Sequence, residues 1–229
     1  TLFFLLVLLA GGSIAAFSYF RSAEMLERAG GDLLTRISRQ TVAGTESLLG
    51  PVEASVRLLA LNAVSQAASL PERRAGLAVL REALRATPSV SAYYIGYATG
   101  DFFMLMRLVD DADRRLVGAP AGAAYLIQSI AGQEGQFIHL DADLNELRAD
   151  PRPDYPTLYD PRKRSWYVQA QGRGDPVQTE PYLFASTRRL GVTVAHRVAG
   201  GRAVVGADIR LATLDETLRR QRITPGSQL

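Results

Sequence analysis

Residues 90–108 read VSAYYIGYATGDFFMLMRL, and this segment carries the most information about the class of fold. Two runs rich in β-branched and aromatic residues, 90–97 and 102–108, flank the tetrapeptide Ala98-Thr99-Gly100-Asp101. Gly and Asp favour tight turns, and two strand-like runs joined by a short turn are typical of a β-hairpin. The segment therefore predicts two antiparallel strands near the middle of the chain.

The second half of the chain contains three more strand candidates: Thr179–Ser186, Gly191–Val198 and Arg202–Ile209. The last two flank Ala199-Gly200-Gly201, which is another hairpin signal. Upstream of the first hairpin, Ser69-Leu70-Pro71-Glu72 combines a capping Ser, an early Pro and a Glu at the capping-box position, so a helix begins there. Adjacent antiparallel strands with separate helices predict an α+β fold, an antiparallel β-sheet flanked by helices.

The segment between the two groups of strands, residues 110–156, has a weaker pattern. Gly118-Ala119-Pro120 indicates the start of a short helix over Ala124–Ile130, and Gln136–Leu140 has the composition of a strand. We expect the rest of the segment to be a long loop, and long loops in compact domains often border a binding site.

The N-terminal region has the pattern of a membrane anchor. Residues 1–20 carry no charge and would rise about 30 Å as a helix, so they predict a transmembrane segment. A cleaved signal peptide is the alternative. From Arg21 onward apolar residues recur at helical spacing, which predicts a long stalk helix over residues 21–68 with a kink at Gly30-Gly31 or Pro51. A homodimer formed through this helix is possible.

The composition excludes several functional classes. The chain has no cysteine, so disulfides and thiolate metal sites are absent, and its net charge of +3 is spread without a basic block, which argues against nucleic acid as a partner. The acidic loop at residues 141–145 lacks the Gly and the final Glu of a calcium loop. We find no pair of nucleophile and base and no cofactor motif, so we predict no metal, no cofactor and no catalysis in this chain.

Residues 159–167, Tyr-Asp-Pro-Arg-Lys-Arg-Ser-Trp-Tyr, concentrate groups that bind small anions. An arginine presents a planar fork that matches a carboxylate with two parallel hydrogen bonds. The only tryptophan, Trp166, supplies a hydrogen-bond donor on an aromatic surface. Because Asp160-Pro161 favours a turn, we expect the group to lie where a loop enters a helix. The alternative is an aromatic core anchor next to a surface cation.

With these residues the chain resembles the extracytoplasmic Cache family of bacterial transmembrane receptors, and specifically the membrane-distal module of double Cache sensors. The resemblance covers residues 21 to about 229 and is most specific in residues 160–167, in Glu180-Pro181-Tyr182 and in Val205-Gly206-Ala207-Asp208-Ile209. It implies a PAS-like antiparallel sheet with a ligand pocket on one face. It also implies that residues 69–222 form this module and that residues 223–229 begin the connection to a membrane-proximal module.

The family members that bind amino acids share a set of side chains whose spacing this chain matches. The resemblance implies that Tyr159, Arg164 and Trp166 bind the α-carboxylate of the ligand. It implies that Tyr167, Tyr182 and Asp208 bind the ammonium group. This division follows charge, because a carboxylate needs donors and an ammonium needs a carboxylate and phenol acceptors.

The resemblance implies a sensor in the bacterial inner membrane, with the domain in the periplasm or outside the cell. The implied partners are a small-molecule ligand, an amino acid or a related compound, and the membrane. Two other functions remain open: a sensor for a plain carboxylate or amine, and a ligand-free spacer or dimerisation module in which Arg164 forms an internal ion pair. The resemblance implies an output domain elsewhere in the whole protein, and it leaves open a class III nucleotide cyclase, a histidine kinase or a chemoreceptor signalling domain.

Overall fold

The structure is a computed structural model that describes residues 49–211. Within these residues nine strands form one sheet, in the order β5-β4-β3-β2-β1-β9-β8-β6, and β7 also pairs with β8. All pairings are antiparallel. The strands are β1 (Val90–Tyr97), β2 (Phe102–Arg107), β3 (Tyr125–Ala131), β4 (Glu134–Leu140), β5 (Glu146–Pro151), β6 (Val177–Gln178), β7 (Tyr182–Leu183), β8 (Leu190–Arg197) and β9 (Ala203–Arg210).

Six α-helices accompany the sheet in the described residues: α1 (49–61), α2 (Leu70–Ala75), α3 (Leu77–Ala86), α4 (Asp111–Leu116), α5 (Tyr155–Leu158) and α6 (Ser165–Gln171). The predicted capping box opens α2. Ser69 Oγ accepts a hydrogen bond from the Glu72 backbone N–H at 3.4 Å, and Glu72 Oε2 accepts one from the Ala68 N–H at 2.8 Å.

The two faces of the sheet pack against different layers, because side chains alternate along each strand. In β1, Tyr93 and Ile95 point into a core that also contains Val52 and Val56 of α1 and Leu80 of α3. The alternate residues of β1, Ala92 and Tyr94, belong to a second core with Trp166 of α6. Because a packed layer covers each face of the sheet, every residue of β1 is buried.

Helix α6 lies close to the sheet because β1 has no side chain at residue 96. A Cβ atom at Gly96 would be 2.8 Å from Trp166 Cη2 and 2.8 Å from Pro161 Cβ, which is closer than such atoms can pack. The glycine therefore lets the start of α6, and with it Arg164 and Trp166, rest directly on the strand.

The structure confirms the antiparallel sheet and the flanking helices, and it corrects the prediction for residues 124–130. The predicted short helix is wrong: Tyr125–Ala131 form strand β3, which is paired between β2 and β4. A short apolar run that is buried on both faces has no period that separates strand from helix. Within the predicted strand at 179–186 only Tyr182–Leu183 form a strand, β7, and Pro181 just before it lacks the N–H that a central strand donates.

Several predictions concern residues outside the described part of the chain. These are the transmembrane segment at 1–20, the stalk from residue 21 up to residue 48, the last part of the module at 212–222 and the connection at 223–229. None of the helices within residues 49–211 has the length and apolar character needed to span a bilayer.

Candidate ligand-binding site

A cavity of about 180 Å³ opens on the sheet face opposite α1 and α3, between the strands and the segment that leads into α6. It is smaller than the range of about 300–1,000 Å³ that holds drug-sized ligands, so it suits a small metabolite. Its walls are mostly aromatic: Tyr94, Phe102, Met104, Gln128, Phe137, Tyr155, Tyr159, Arg164, Trp166, Tyr182, Ala185, Ser186 and Asp208.

The structure brings five of the six predicted binding residues to this cavity: Tyr159, Arg164, Trp166, Tyr182 and Asp208. The sixth, Tyr167, is not among the lining residues. Its phenol oxygen accepts a hydrogen bond from Gln171 Nε2 at 3.1 Å, and its ring packs edge-on against Trp166 with centroids 5.6 Å apart. Tyr167 therefore supports the position of Trp166 from behind the cavity wall.

Arg164, the residue that precedes α6, is the positive pole of the cavity lining. Its guanidinium carbon is 5.5 Å from the centre of the Tyr159 ring, and it has no ion pair or side-chain hydrogen bond with any residue between 49 and 211. The neighbouring Arg162 instead pairs with Asp160 at 3.0 Å. The guanidinium of Arg164 is thus available to an anion in the cavity.

Trp166 is almost fully buried, with 1% of its surface exposed, and its ring meets Tyr94 edge-on with centroids 4.9 Å apart. No acceptor within the described part of the chain receives its indole N–H. This donor and the Arg164 guanidinium both belong to residues that line the cavity, so the two can serve one carboxylate.

Asp208, on strand β9, is the negative pole of the cavity lining. Its Oδ1 accepts hydrogen bonds from the Tyr94 hydroxyl at 2.6 Å and from Thr193 Oγ1 at 2.7 Å. The hydroxyl of Tyr182 lies 2.7 Å from Thr193 Oγ1 and extends this network. Because every hydrogen bond from residues 49–211 reaches Oδ1, Oδ2 remains available to a cation.

Burial raises the pKa of Asp208 to about 6, although hydrogen bonds from Tyr94 and Thr193 and the charge of Arg164 oppose this rise. A buried carboxylate in this state gains from a positive ligand group, which repays part of the lost solvation. Burial also raises the pKa of Tyr159 well above its usual range and that of Tyr182 to about 12, so both phenols stay neutral at physiological pH.

Comparison with curated proteins identifies longer relatives, whereas no protein family profile matches the chain. The chain is 35% identical over 188 residues to adenylate cyclase 1 of Rhizobium meliloti, which is 79% of this chain and 28% of that protein. It is 36% identical over 94 residues to the methyl-accepting chemotaxis protein PctB of Pseudomonas aeruginosa, which is 40% of this chain and 15% of that protein. The matched segments therefore span less than a third of either relative.

Among solved structures, the ligand-binding domain of the Campylobacter jejuni chemoreceptor Tlp3 in complex with 4-methylisoleucine aligns with a TM-score of 0.52 and 14% identity. The alignment covers 82% of this chain and 60% of that one. The Tlp3 domain in complex with L-valine gives the same TM-score at 16% identity, over 82% and 61% of the two chains. The chain has the Cache-type fold. At this level of identity the likeness shows the fold alone.

Sequence reasoning did not identify several residues that line the cavity of this Cache-type domain, above all Tyr94, Gln128 and Tyr155. Tyr94 had a usable signal, because strand alternation places it on the face opposite Tyr93 and Ile95. Gln128 lies in the strand that was predicted as a helix, so its face was not predictable. Tyr155 donates a hydrogen bond to Gln128 Oε1 at 3.1 Å, a long-range contact that no local pattern indicates.

A second and larger cavity of the Cache-type domain, about 460 Å³, is lined by Arg107, Arg114 and Arg210. These arginines already have protein partners. Arg107 Nη2 donates to the carbonyl oxygens of Pro88 and Val90, at 2.8 Å each, and Arg210 Nη2 contacts Asp113 Oδ2 at 2.7 Å. The smaller cavity is therefore the better candidate site, because the guanidinium of Arg164 and Oδ2 of Asp208 remain available to a ligand.

Replacing Gly206 by alanine is expected to disturb the Asp208 pole of the Cache-type domain. A Cβ atom at residue 206 would overlap the Tyr94 ring, 2.6 Å from Cζ, and would push the Tyr94 hydroxyl away from Asp208. Overpacking of this kind costs about 1–3 kcal/mol in the free energy of unfolding. Urea denaturation measures the change.

The matched control is Gly174→Ala, because a Cβ atom there meets no other atom within 4 Å. We expect this control to change the free energy of unfolding by less than about 0.5 kcal/mol. A Gly206→Ala variant as stable as the control would show that Tyr94 does not pack on β9 as described.

Proposed function

We propose that the chain is the extracytoplasmic ligand-binding domain of a bacterial receptor and that it binds an amino acid between Arg164 and Asp208. One observation carries the proposal: a guanidinium and a carboxylate oxygen, neither engaged by residues 49–211, belong to residues that line the same small aromatic cavity. A zwitterion satisfies both poles at once, whereas a plain acid or amine satisfies one.

In the proposed complex the α-carboxylate pairs with the guanidinium of Arg164 and accepts hydrogen bonds from Trp166 and Tyr159. The ammonium contacts Asp208 Oδ2 and the hydroxyl of Tyr182. The aromatic rings around the ammonium add a cation–π contribution of roughly 0.5–2 kcal/mol. The ammonium contact predicted for Tyr167 is not part of this arrangement, because the Tyr167 side chain does not line the cavity.

The comparisons support the ligand class. The two Tlp3 structures with the same fold contain 4-methylisoleucine and L-valine, which are both amino acids. The rival function of a ligand-free spacer required Arg164 to be engaged in an internal ion pair, and the described residues provide none. A sensor for a plain carboxylate or amine remains the alternative.

A thermal-shift screen tests the proposal. We would compare alanine and valine with matched compounds that lack one charged group, propionate and isobutylamine. The proposal predicts that the amino acids raise the melting temperature and that the single-charge compounds, at the same concentration, do not. Stabilisation by propionate equal to that by alanine would support the alternative, and no shift with any compound would support a spacer.

Amino-acid affinity is expected to fall in acidic solution, because the ammonium needs an ionised Asp208. Burial raises the pKa of Asp208 to about 6, so this carboxyl takes up a proton as the pH falls below that value. Affinity should then decrease about tenfold per pH unit below the pKa. Calorimetric titrations between about pH 8 and pH 5 measure this dependence. An affinity that does not change over the whole interval would contradict it.

The setting in the cell is also part of the proposal. The anchor at residues 1–20 would hold the domain on the outer side of the inner membrane, and the relatives include both an adenylate cyclase and a chemotaxis receptor as possible outputs. We assign no catalysis to this chain itself. A homodimer through the N-terminal helix is supported by the exposed side chains of Leu58 and Leu61 on α1.

A further inference from the structure

The part of the cavity beyond its two charged poles is lined only by uncharged side chains. Arg164 and Asp208 are the only charged residues in the lining, and the proposed function engages both with the α-carboxylate and the α-ammonium. What remains for the ligand side chain is a compartment formed by Met104, Gln128, Phe137 and Tyr155.

The strand register shows where this compartment lies. Gln128 on β3 pairs with Met104 on β2 and with Phe137 on β4, and Met104 pairs with Tyr94 on β1. Strands β9 and β3 are three positions apart in the sheet, about 14 Å between strand axes. Asp208 pairs with Ala92, two residues along β1 from Tyr94, so Gln128 lies diagonally across β1 and β2 from Asp208.

Gln128 is held in a fixed position in the wall of the compartment. Only 4% of its surface is exposed, and its Oε1 accepts a hydrogen bond from the Tyr155 hydroxyl at 3.1 Å. The Tyr155 ring packs edge-on against Phe137, with centroids 5.1 Å apart. Arg152 lies on the Phe137 ring, 5.0 Å from its centre, and does not line the cavity.

We infer that the cavity selects amino acids with an uncharged side chain and that Gln128 sets this selectivity. This inference rests on the proposed function. A charged ligand side chain would lose its hydration in the compartment and find no opposite charge there, which is strongly unfavourable. Arg152 behind Phe137 opposes cationic side chains further. Gln128 offers a neutral amide, which accommodates apolar and polar uncharged groups.

Isothermal titration calorimetry of the protein with single amino acids tests the inference. Valine, leucine and glutamine are expected to bind, and lysine, arginine and glutamate are expected to bind at least about 100-fold more weakly. Equal binding of charged and uncharged amino acids would overturn the inference and leave the proposed function intact. Binding of none of them would overturn the proposed function and the inference with it.

A Gln128→Glu variant tests the role assigned to the residue. Its carboxylate would give a cationic ligand side chain a partner, so the affinity for lysine relative to leucine should rise at least about tenfold. The matched control is Gln178→Glu, the same change at an exposed residue of β6, which should leave the ratio unchanged. An unchanged ratio in a folded Gln128→Glu variant would overturn the assignment. If that variant does not fold, the wild-type titrations still decide the selectivity.

Discussion

Replacing Asp208 by asparagine is expected to abolish most amino-acid binding. The substitution keeps the shape of the side chain and an oxygen that accepts hydrogen bonds from Tyr94 and Thr193, but it removes the negative charge that faces the ammonium. Breaking a buried ion pair by removing one partner costs about 3–5 kcal/mol, or roughly 100- to 5,000-fold in the dissociation constant. Isothermal titration calorimetry with valine measures the loss.

The same substitution is expected to stabilise the ligand-free protein at neutral pH. Burial raises the pKa of Asp208 from 3.8 to about 6, so the ionised carboxylate opposes folding above pH 6. This penalty is at most about 3 kcal/mol at neutral pH and disappears as the pH falls below the unfolded-state pKa. Urea denaturation of the free proteins at pH 7 and pH 4 should show a difference between wild type and variant at pH 7 that is largely lost at pH 4.

An exposed aspartate supplies the control for Asp208→Asn. The side chain of Asp175 is 85% exposed and pairs with Arg57 on the surface. Asp175→Asn is expected to leave ligand affinity unchanged and to alter the free energy of unfolding by less than about 0.5 kcal/mol. An Asp208→Asn variant that binds valine as tightly as this control would contradict the role of Asp208.

Replacing Arg164 by alanine is expected to weaken amino-acid binding by about 100-fold or more, because the ligand carboxylate would be desolvated without a cation. Arg164→Lys should fall between the wild type and Arg164→Ala, since an ammonium keeps the charge but loses the two parallel hydrogen bonds. Calorimetric titration measures both. The fold should persist, because the Arg164 guanidinium has no ion pair with residues 49–211.

The control for Arg164 is its close neighbour Arg162, whose side chain pairs with Asp160 on the surface. Arg162→Ala is expected to leave the affinity within about twofold of the wild type, since an exposed ion pair contributes little. If Arg164→Ala and Arg162→Ala bound valine equally well, the guanidinium of Arg164 would have no part in recognition.

The sequence predicted much of the sheet and five of the thirteen residues that line the cavity. The turn at residues 98–101 and the alternation around it indicated the β1–β2 hairpin, and the motif around Arg164 and Trp166 indicated residues that the structure places in one cavity. These features are short-range, so a single sequence contains them.

The features that were missed depend on contacts across the sheet. Strand β3 has strands on both sides and both faces buried, so its pattern resembled a helix. Strand β5 is almost entirely exposed and carries no apolar pattern. Tyr167 matched the spacing of the family motif, yet its hydroxyl is engaged by Gln171, which only the course of α6 determines.

A crystal structure of the protein with valine bound tests the central claim most directly. We predict that the valine carboxylate pairs with Arg164 and Trp166, that its ammonium lies within hydrogen-bonding distance of Asp208 Oδ2, and that its side chain points toward Gln128. Valine bound in the reverse orientation, or in the larger cavity next to Arg107, would contradict the account.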